Sequence, residues 1–137
     1  SIVIPADRST RQEEKILETL AFIQSTGELS MEALVATQAG QLPQGSSAVL
    51  ITASVRPEIM HAVDDLLRRN QRPTVVLLDA ESFGSEKSNA ALVESLRKIN
   101  VPVCRVLCGD DLEKALSNIS GTTSTKENFL WREPFTP

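Results

Sequence analysis

The feature that most limits what this chain can fold into is an apolar run followed by a helix-like segment, three times in succession. The runs cover residues 48–51, 74–78 and 101–107, and each is mostly apolar along its length. Such runs are typical of strands that are covered on both faces. Strand–helix units in series predict parallel strands joined by crossovers. We therefore predict an α/β fold, with a three-layer, mostly parallel, doubly wound and Rossmann-like sheet.

The helices of these units are predicted from apolar residues at helical spacing. The first follows Ser54 or Arg56 and has Pro57 in its first turn, where a missing N–H costs least. Its predicted core face contains Ile59, Met60, Val63, Leu66 and Leu67. The other two helices are predicted at residues 90–99 and 110–116, the latter with Asp110 and Glu113 as a capping box.

Two further helices are predicted ahead of the first unit. Thr10 and Glu13 form a capping-box pattern before a helix that runs to about Gln24. Its apolar stripe contains Ile16, Leu17, Leu20, Ala21 and Ile23. A second helix begins near Ser30 and ends before Gly40. Residues 2–4 form a short apolar run stopped by Pro5, which predicts a strand remnant at a sheet edge.

The chain divides into an α/β domain at residues 1–119 and a tail at residues 120–137. The tail is a small polar linker followed by three of the five aromatic residues of the chain, Phe129, Trp131 and Phe135. Aromatic residues are enriched at interfaces, so these three are candidate interface residues, with docking on their own domain as the alternative. Because the chain starts without a methionine, we expect it to be a piece of a longer parent protein.

Charge and hydropathy argue against two classes of partner. The net charge is −4, and the one basic cluster, Arg68, Arg69 and Arg72, falls at a predicted helix end. Nucleic-acid binding needs clustered basic residues, so we predict no nucleic-acid partner. No apolar run approaches the roughly 18–20 residues needed to cross a bilayer. We predict no membrane insertion by this part of the parent.

The two cysteines, Cys104 and Cys108, are predicted to be reduced. On one strand their spacing would separate them by about 13 Å, which is too far for a disulfide. His61 is remote in sequence, so a metal site with both thiols is not favoured either. Cys104 lies between apolar neighbours and is predicted to be buried and inert. Reduced thiols favour a cytoplasmic location.

Polar residues follow the predicted strands at the edge where parallel sheets usually hold ligands. Thr52 and Ser54 follow the first strand, Asp79 follows the second, and Asp110 follows the third. A set of carboxylates and hydroxyls can hold a hard cation such as Mg²⁺. The alternative, which we favour, is that these side chains cap helices and close turns.

No pattern for catalysis is present. The sequence contains no Gly-x-Gly and no Gly-x-Ser-x-Gly, so it has neither a glycine-rich phosphate loop nor a nucleophile elbow. His61 falls within a predicted helix, where an exposed or structural role is commoner than general-base catalysis. We therefore predict no enzyme activity and no cofactor.

Three segments together resemble a known bacterial family. They are LPQGSSAVLIT at residues 42–52, VVLLDAESFG at 75–84, and VPVCRV at 101–106 with GDDL at 109–112. In order and spacing they resemble the uncharacterised von Willebrand factor A-like family known as domain of unknown function 58, whose genes often neighbour MoxR-type AAA+ ATPases. The resemblance covers residues 1–117 and corresponds to the later half of such a domain.

The resemblance implies an interaction or assembly role with a protein partner, an AAA+ ATPase among the candidates, and a parent that is often anchored at the membrane. The family's opening metal loop, of Asp-x-Ser-x-Ser type, has no counterpart here, and Ala53 stands where an aspartate is expected. We predict no tight divalent-cation site. The alternative function is a metal- or nucleotide-dependent hydrolase using Asp79 and Asp110. If the preceding strands are absent, residues 48–51 form an exposed edge. One way to cover it is for residues 1–5 to fold back, and the other is pairing with a second copy; we predict a homodimer through this edge or the tail.

Overall fold

The computed structural model describes residues 2–24 and 26–117. The helices are α1 Arg11–Phe22, α2 Met31–Gln38, α3 Ile59–Arg68, α4 Ala90–Lys98 and α5 Leu112–Ser117, with a 3-10 turn at Ala39–Gln41 after α2. The strands are β1 Ser47–Thr52, β2 Arg72–Leu78 and β3 Val103–Val106. From β1 onward, strands and helices alternate, as the sequence predicts.

The strands form one parallel sheet in the order β1-β2-β3. Leu50 aligns with Val75, and Val75 aligns with Val103, so one residue from each strand lies in a row across the sheet. The next row contains Ile51, Val76 and Cys104 and points to the opposite face. The predicted α/β class with parallel strands is confirmed.

The main core lies between one face of the sheet and helices α2, α3 and α4. Leu50, Val75 and Leu77 come from the sheet, and Leu66 and Leu96 come from the helices. Both crossover helices lie on this face, because the chain moves across the sheet in the same direction at each crossover. The largest fully buried apolar side chains are Val63, Leu66, Val75, Leu77 and Leu96.

The second face is covered over β3 and part of β2. Val76, Cys104 and Val106 are buried there. Leu78 of β2 and Ala115 of α5 pack against them. Helices therefore lie on both faces, as predicted for a layered α/β protein. The coverage is unequal, since α5 is short and contacts β3. The consequence is an uncovered strip over β1.

The same turn leads from each crossover helix into the following strand. Asn70 and Asn100 both have a φ of 57°, the left-handed conformation that asparagine tolerates better than most residues. The next residue donates its N–H back to the helix, from Gln71 to the Leu66 carbonyl and from Val101 to the Leu96 carbonyl, at 3.0 Å each. This pattern satisfies helix-end carbonyls and sets the entry into β2 and β3.

Several predicted details of the units are wrong. The third strand is Val103–Val106 and not 101–107, since the N–H of Val101 still bonds back to the Leu96 carbonyl of α4. Pro57 lies in a turn before α3, accepting the N–H of Met60, and not inside the helix. Leu67 is exposed and not part of the core face, because helix α3 turns Ala62 inward in its place.

Both predicted capping boxes are also wrong. The Thr10 side chain makes no capping hydrogen bond to α1. At α5 the cap is Asp111, whose Oδ1 accepts the N–H of Lys114 at 3.2 Å, while Asp110 bonds elsewhere. The apolar stripe of α1 exists, but none of the helix is buried. A pattern of residue types locates a helix end, but the backbone geometry of the preceding loop selects which side chain reaches it.

Residues 2–4, named here the strap, do not form the predicted strand. They lie beside β1 and line a cleft with it, without forming a strand bridge to it. Phe129, Trp131 and Phe135, and with them the boundary at residue 119, fall outside the described residues.

Candidate functional site

Thr52 and Ser54 shape the loop that follows β1. The Thr52 hydroxyl accepts the N–H of Ser54 at 3.0 Å, and the Ser54 hydroxyl accepts the N–H of Arg56 at 3.1 Å. Each side chain mimics a backbone turn by bonding to an amide two residues ahead. The two hydroxyls therefore guide the chain from β1 toward α3.

Asp79 follows β2 and is buried, with its side chain 3% exposed. Its Oδ1 accepts the N–H of Ser82 at 3.1 Å, and its Oδ2 forms an ion pair with the guanidinium of Arg105 on β3. A buried carboxylate is stable only when it is paired and hydrogen-bonded, and these contacts provide both conditions. Asp79 thus joins β3 to the loop after β2.

Ser82 connects this loop with the loop after β3. Its hydroxyl donates to the Asp79 carbonyl at 2.9 Å and accepts the N–H of Cys108 at 3.0 Å. Asp110 lies in the same second loop, where its Oδ2 accepts the N–H of Leu107 at 2.9 Å. Each of the four candidate ligands therefore accepts a hydrogen bond from a loop amide.

A cavity of about 370 Å³ lies at this end of the sheet. Its lining includes Ser54 and Arg56 from the first loop, and Ala80, Phe83 and Ser85 from the second. Ser54 is the one candidate ligand among the lining residues, so the cavity does not collect the predicted set. Within the described residues, no group of three or more His, Cys, Asp or Glu side chains is placed to hold a metal ion.

The two cysteines differ in their surroundings. Cys104 is buried, as predicted, and its thiol donates to the Ala115 carbonyl at 3.1 Å. Burial raises the pKa of the Cys104 thiol, and the negative charge of Asp110 raises it further. Cys108 is free and exposed. The Cys104 thiol is therefore held in its neutral, weakly nucleophilic form.

The second candidate site is the uncovered side of β1. Val49 and Ile51 point to the second face of the sheet and are 60% and 64% exposed. Both are β-branched residues of a kind that favours a packed sheet surface. No strand of residues 2–24 and 26–117 pairs with the outer backbone edge of β1. We call Val49 and Ile51, together with this edge, the open side.

The backbone of β1 determines which groups face this edge. The Ser46 carbonyl accepts the N–H of Arg72 at 2.9 Å, so Ser46 points toward β2. Because residues of a parallel strand alternate between their two neighbours, Ala48, Leu50 and Thr52 also bond toward β2. The N–H and C=O groups of Val49 and Ile51 therefore face the open edge.

The two edges of the sheet differ in their protection against pairing with other chains. The β3 edge is short, carries Arg105 and follows Pro102. Short length, charge and proline are the features that prevent edge-to-edge association. β1 has six residues, Ser-Ala-Val-Leu-Ile-Thr, with no charge and no proline. Of the two, only β1 has an edge suited to pairing.

An apolar cleft of about 480 Å³ runs beside β1, between the strap and α2. The wall from α2 and the following turn includes Met31, Leu34 and Leu42, and Leu66 of α3 also lines the cleft. Among the described residues, Gln38 is the one polar side chain in the lining, and no charged side chain contributes. A cleft of this size and composition suits an uncharged apolar occupant.

Sequence reasoning missed two residues at the strand ends. Arg105 is a charged residue inside an otherwise apolar strand, which is the signal for a specific partner such as Asp79. Asn89 is buried just before α4, and its Nδ2 donates to the Leu78 carbonyl at 2.8 Å. A polar residue before a helix reads as a cap from sequence, so its role in holding β2 has no separate signal.

No protein-family model, curated protein or solved structure matches this chain. The resemblance to domain of unknown function 58 therefore stays a prediction carried by the three segments quoted above. None of the helices in residues 2–24 and 26–117 has the length and apolar character needed to cross a membrane.

Proposed function

We propose that this chain is a non-enzymatic protein-interaction and assembly module whose contact surface is the open side of β1. The observation that carries the proposal is the exposure of Val49 and Ile51 on a strand whose outer backbone edge pairs with no other strand in the described part of the chain. An exposed, uncharged edge strand is a template for another chain. An apolar patch beside that edge adds buried area to the pairing.

The partner proposed for direct test is a second copy of the chain. Antiparallel pairing of two β1 strands about a two-fold axis through Leu50 sets Val49 opposite Ile51 of the second copy. Opposed β-branched side chains on one face stabilise a strand pair. The resulting contact is self-complementary, and it joins two three-stranded sheets into one of six strands.

A MoxR-type AAA+ ATPase is a second proposed partner, implied by the family resemblance alone. The same resemblance supports a membrane-anchored parent with this module in the cytoplasm, and the free cysteines Cys104 and Cys108 agree with that location. Phe129, Trp131 and Phe135 remain candidate contributors to the contact. Removal of residues 121–137 tests them, because a dimer that is unchanged by the truncation excludes a role for the tail.

Sedimentation equilibrium from low to high micromolar concentration tests the proposal. We expect a monomer–dimer equilibrium for the natural chain and a monomer for the Val49→Lys, Ile51→Lys double variant. Leu20→Lys is the matched control, since Leu20 is an exposed apolar residue of α1 that lines neither the cleft beside β1 nor the cavity between residues 2–5 and α1, and its substitution leaves the equilibrium unchanged. A natural chain that stays monomeric at high micromolar concentration contradicts the homodimer. An equilibrium that persists in the double variant contradicts the assignment to β1.

A further inference from the structure

The strap places an extended apolar segment of this chain beside the open side. Ile2, Val3 and Ile4 line the cleft next to β1, and they also line a second cavity together with Lys15, Thr19 and Phe22 of α1. The strap consists of uncharged β-branched residues, like Val49 and Ile51 of β1. An extended segment of this chemistry therefore fits against the cleft.

The strap is held loosely. Within the described residues, no backbone hydrogen bond joins residues 2–4 to β1, so the outward N–H and C=O groups of Val49 and Ile51 remain free of it. Ile2 is 64% exposed, and the following helix α1 buries none of its side chains. One hydrogen bond anchors the end of the strap, from Gln12 Nε2 to the Pro5 carbonyl at 2.9 Å.

The uncharged lining of the cleft limits which segment can bind beside β1. Because no charged side chain from the described part of the chain lines the cleft, a charged segment would lose hydration there without gaining a partner. Of the three described strands, β2 contains Arg72 and Pro73, and β3 contains Arg105, whereas β1 has neither charge nor proline. The β1 strand of a second copy therefore matches the open side best among the strands of this protein.

We propose that the strap is a displaceable cover that competes with the β1 strand of a second copy for the open side. This inference rests on the proposed function and adds its regulation, since the dimer forms as the strap leaves. The strap offers apolar contact without backbone pairing, whereas the incoming strand offers both. Any event that draws the N-terminal segment away from β1 would then promote dimerisation.

The test weakens the strap and measures the dimer dissociation constant by sedimentation equilibrium. The Ile2→Ser, Ile4→Ser variant removes two apolar side chains from the cleft wall, and the dissociation constant is expected to fall about tenfold. Gln12→Ala, which removes the anchor of Pro5 outside the cleft, is expected to act in the same direction with a smaller change. None of the three substituted residues, Ile2, Ile4 and Gln12, belongs to the buried core. Thermal melts check that each variant is folded.

Two control variants separate the strap from other effects. Ile16→Ser makes the same type of change on α1, at a residue that lines neither cavity, and the dissociation constant should not change. Val49→Pro removes an outward N–H from β1 while sparing the ladder to β2, as proline is tolerated on edge strands. It is expected to prevent dimerisation both with the natural strap and with the serine variant.

Each outcome decides between the two claims. A tighter dimer in both strap variants, lost on Val49→Pro, supports the inference. A dimer that is unchanged or weaker in the strap variants, but still lost on Val49→Pro, overturns the strap as a competitor and leaves the proposed function standing. Monomers for the natural chain and for both strap variants overturn the two proposals together.

Discussion

Ile51 and Val76 are aligned partners on adjacent strands and point to the same face of the sheet, yet Ile51 is 64% exposed and Val76 is 7% exposed. The difference arises because α5 covers β3 and part of β2 but does not reach β1. A strand that is apolar on both faces has therefore one face buried under α2 and α3 and the other open. This relationship is the physical basis for an interaction role.

The first prediction concerns the two faces of β1. Ile51→Lys should lower the free energy of unfolding by less than about 0.5 kcal/mol, because the side chain is already in solvent. Leu50→Lys, one residue away, should cost several times as much, because a charge enters the main core. Urea unfolding below the dimerisation range measures both. Equal losses for the two variants would mean that Ile51 is buried in the monomer.

The second prediction concerns Asp79 as a structural residue. Asp79→Ala should lower the free energy of unfolding by about 2 kcal/mol, since it removes the ion pair with Arg105 and the acceptor for the Ser82 N–H. Asp110→Ala is the matched control, with one exposed turn contact to lose and a cost of roughly 0.5–1 kcal/mol. Chemical denaturation compares the two. An Asp79→Ala protein as stable as the natural chain would free Asp79 for another role.

The third prediction is that Mg²⁺ and Mn²⁺ do not bind tightly. Asp79 Oδ2 is committed to Arg105, and the hydroxyls of Thr52 and Ser54 bond to loop amides. We expect no heat of binding in calorimetry at micromolar protein and no change in melting temperature with either ion. Micromolar affinity that disappears in Asp79→Ala would overturn this prediction and favour the metal-dependent hydrolase.

The fourth prediction uses the two cysteines as a pair. A thiol reagent should modify Cys108 rapidly and Cys104 only at the rate of local opening, because Cys104 is buried and Cys108 is exposed. Mass spectrometry of single-cysteine variants separates the two rates. Comparable rates for both thiols in the native protein would contradict the packing of α5 on β3.

The raised pKa of the Cys104 thiol makes the stability of the fold depend on pH. The folded state favours the neutral thiol, so its contribution to stability is complete below the ordinary thiol pKa of 9.0 and is lost as the pH rises through the higher folded-state pKa. Stability should therefore fall above about pH 9. Cys104→Ala should make that alkaline fall shallower, whereas Cys108→Ala should not change it.

The sequence predicts the order of strands and helices well, because continuous apolar runs and helical spacing are local signals. It also predicts the burial of Cys104, whose neighbours Val103 and Val106 belong to the same covered strand. Loop details such as the cap at Asp111 depend on backbone geometry, so the sequence pattern predicts the neighbouring residue Asp110 in its place.

The exposure of Val49 and Ile51 has no local signal. The apolar sequence of β1 is similar to that of β2. The two strands differ in exposure because β2 has a strand on each side and is partly covered by α5, whereas β1 lies at the edge beyond α5. For the residues at the strand ends, the sequence predicts the location but not the contacts. Strand order places Asp79 at the carboxyl edge of the sheet, but its pairing with Arg105 depends on the register between β2 and β3.

Backbone amide exchange in β1, followed by NMR as the protein concentration is raised, tests the interaction surface most directly. The Leu50 N–H bonds toward β2 and should exchange slowly at every concentration, so it serves as an internal reference. The account predicts that the outward N–H groups of Val49 and Ile51 exchange rapidly in dilute solution and become protected at high micromolar concentration. Rapid exchange of both amides at all concentrations, beside a protected Leu50, would contradict it.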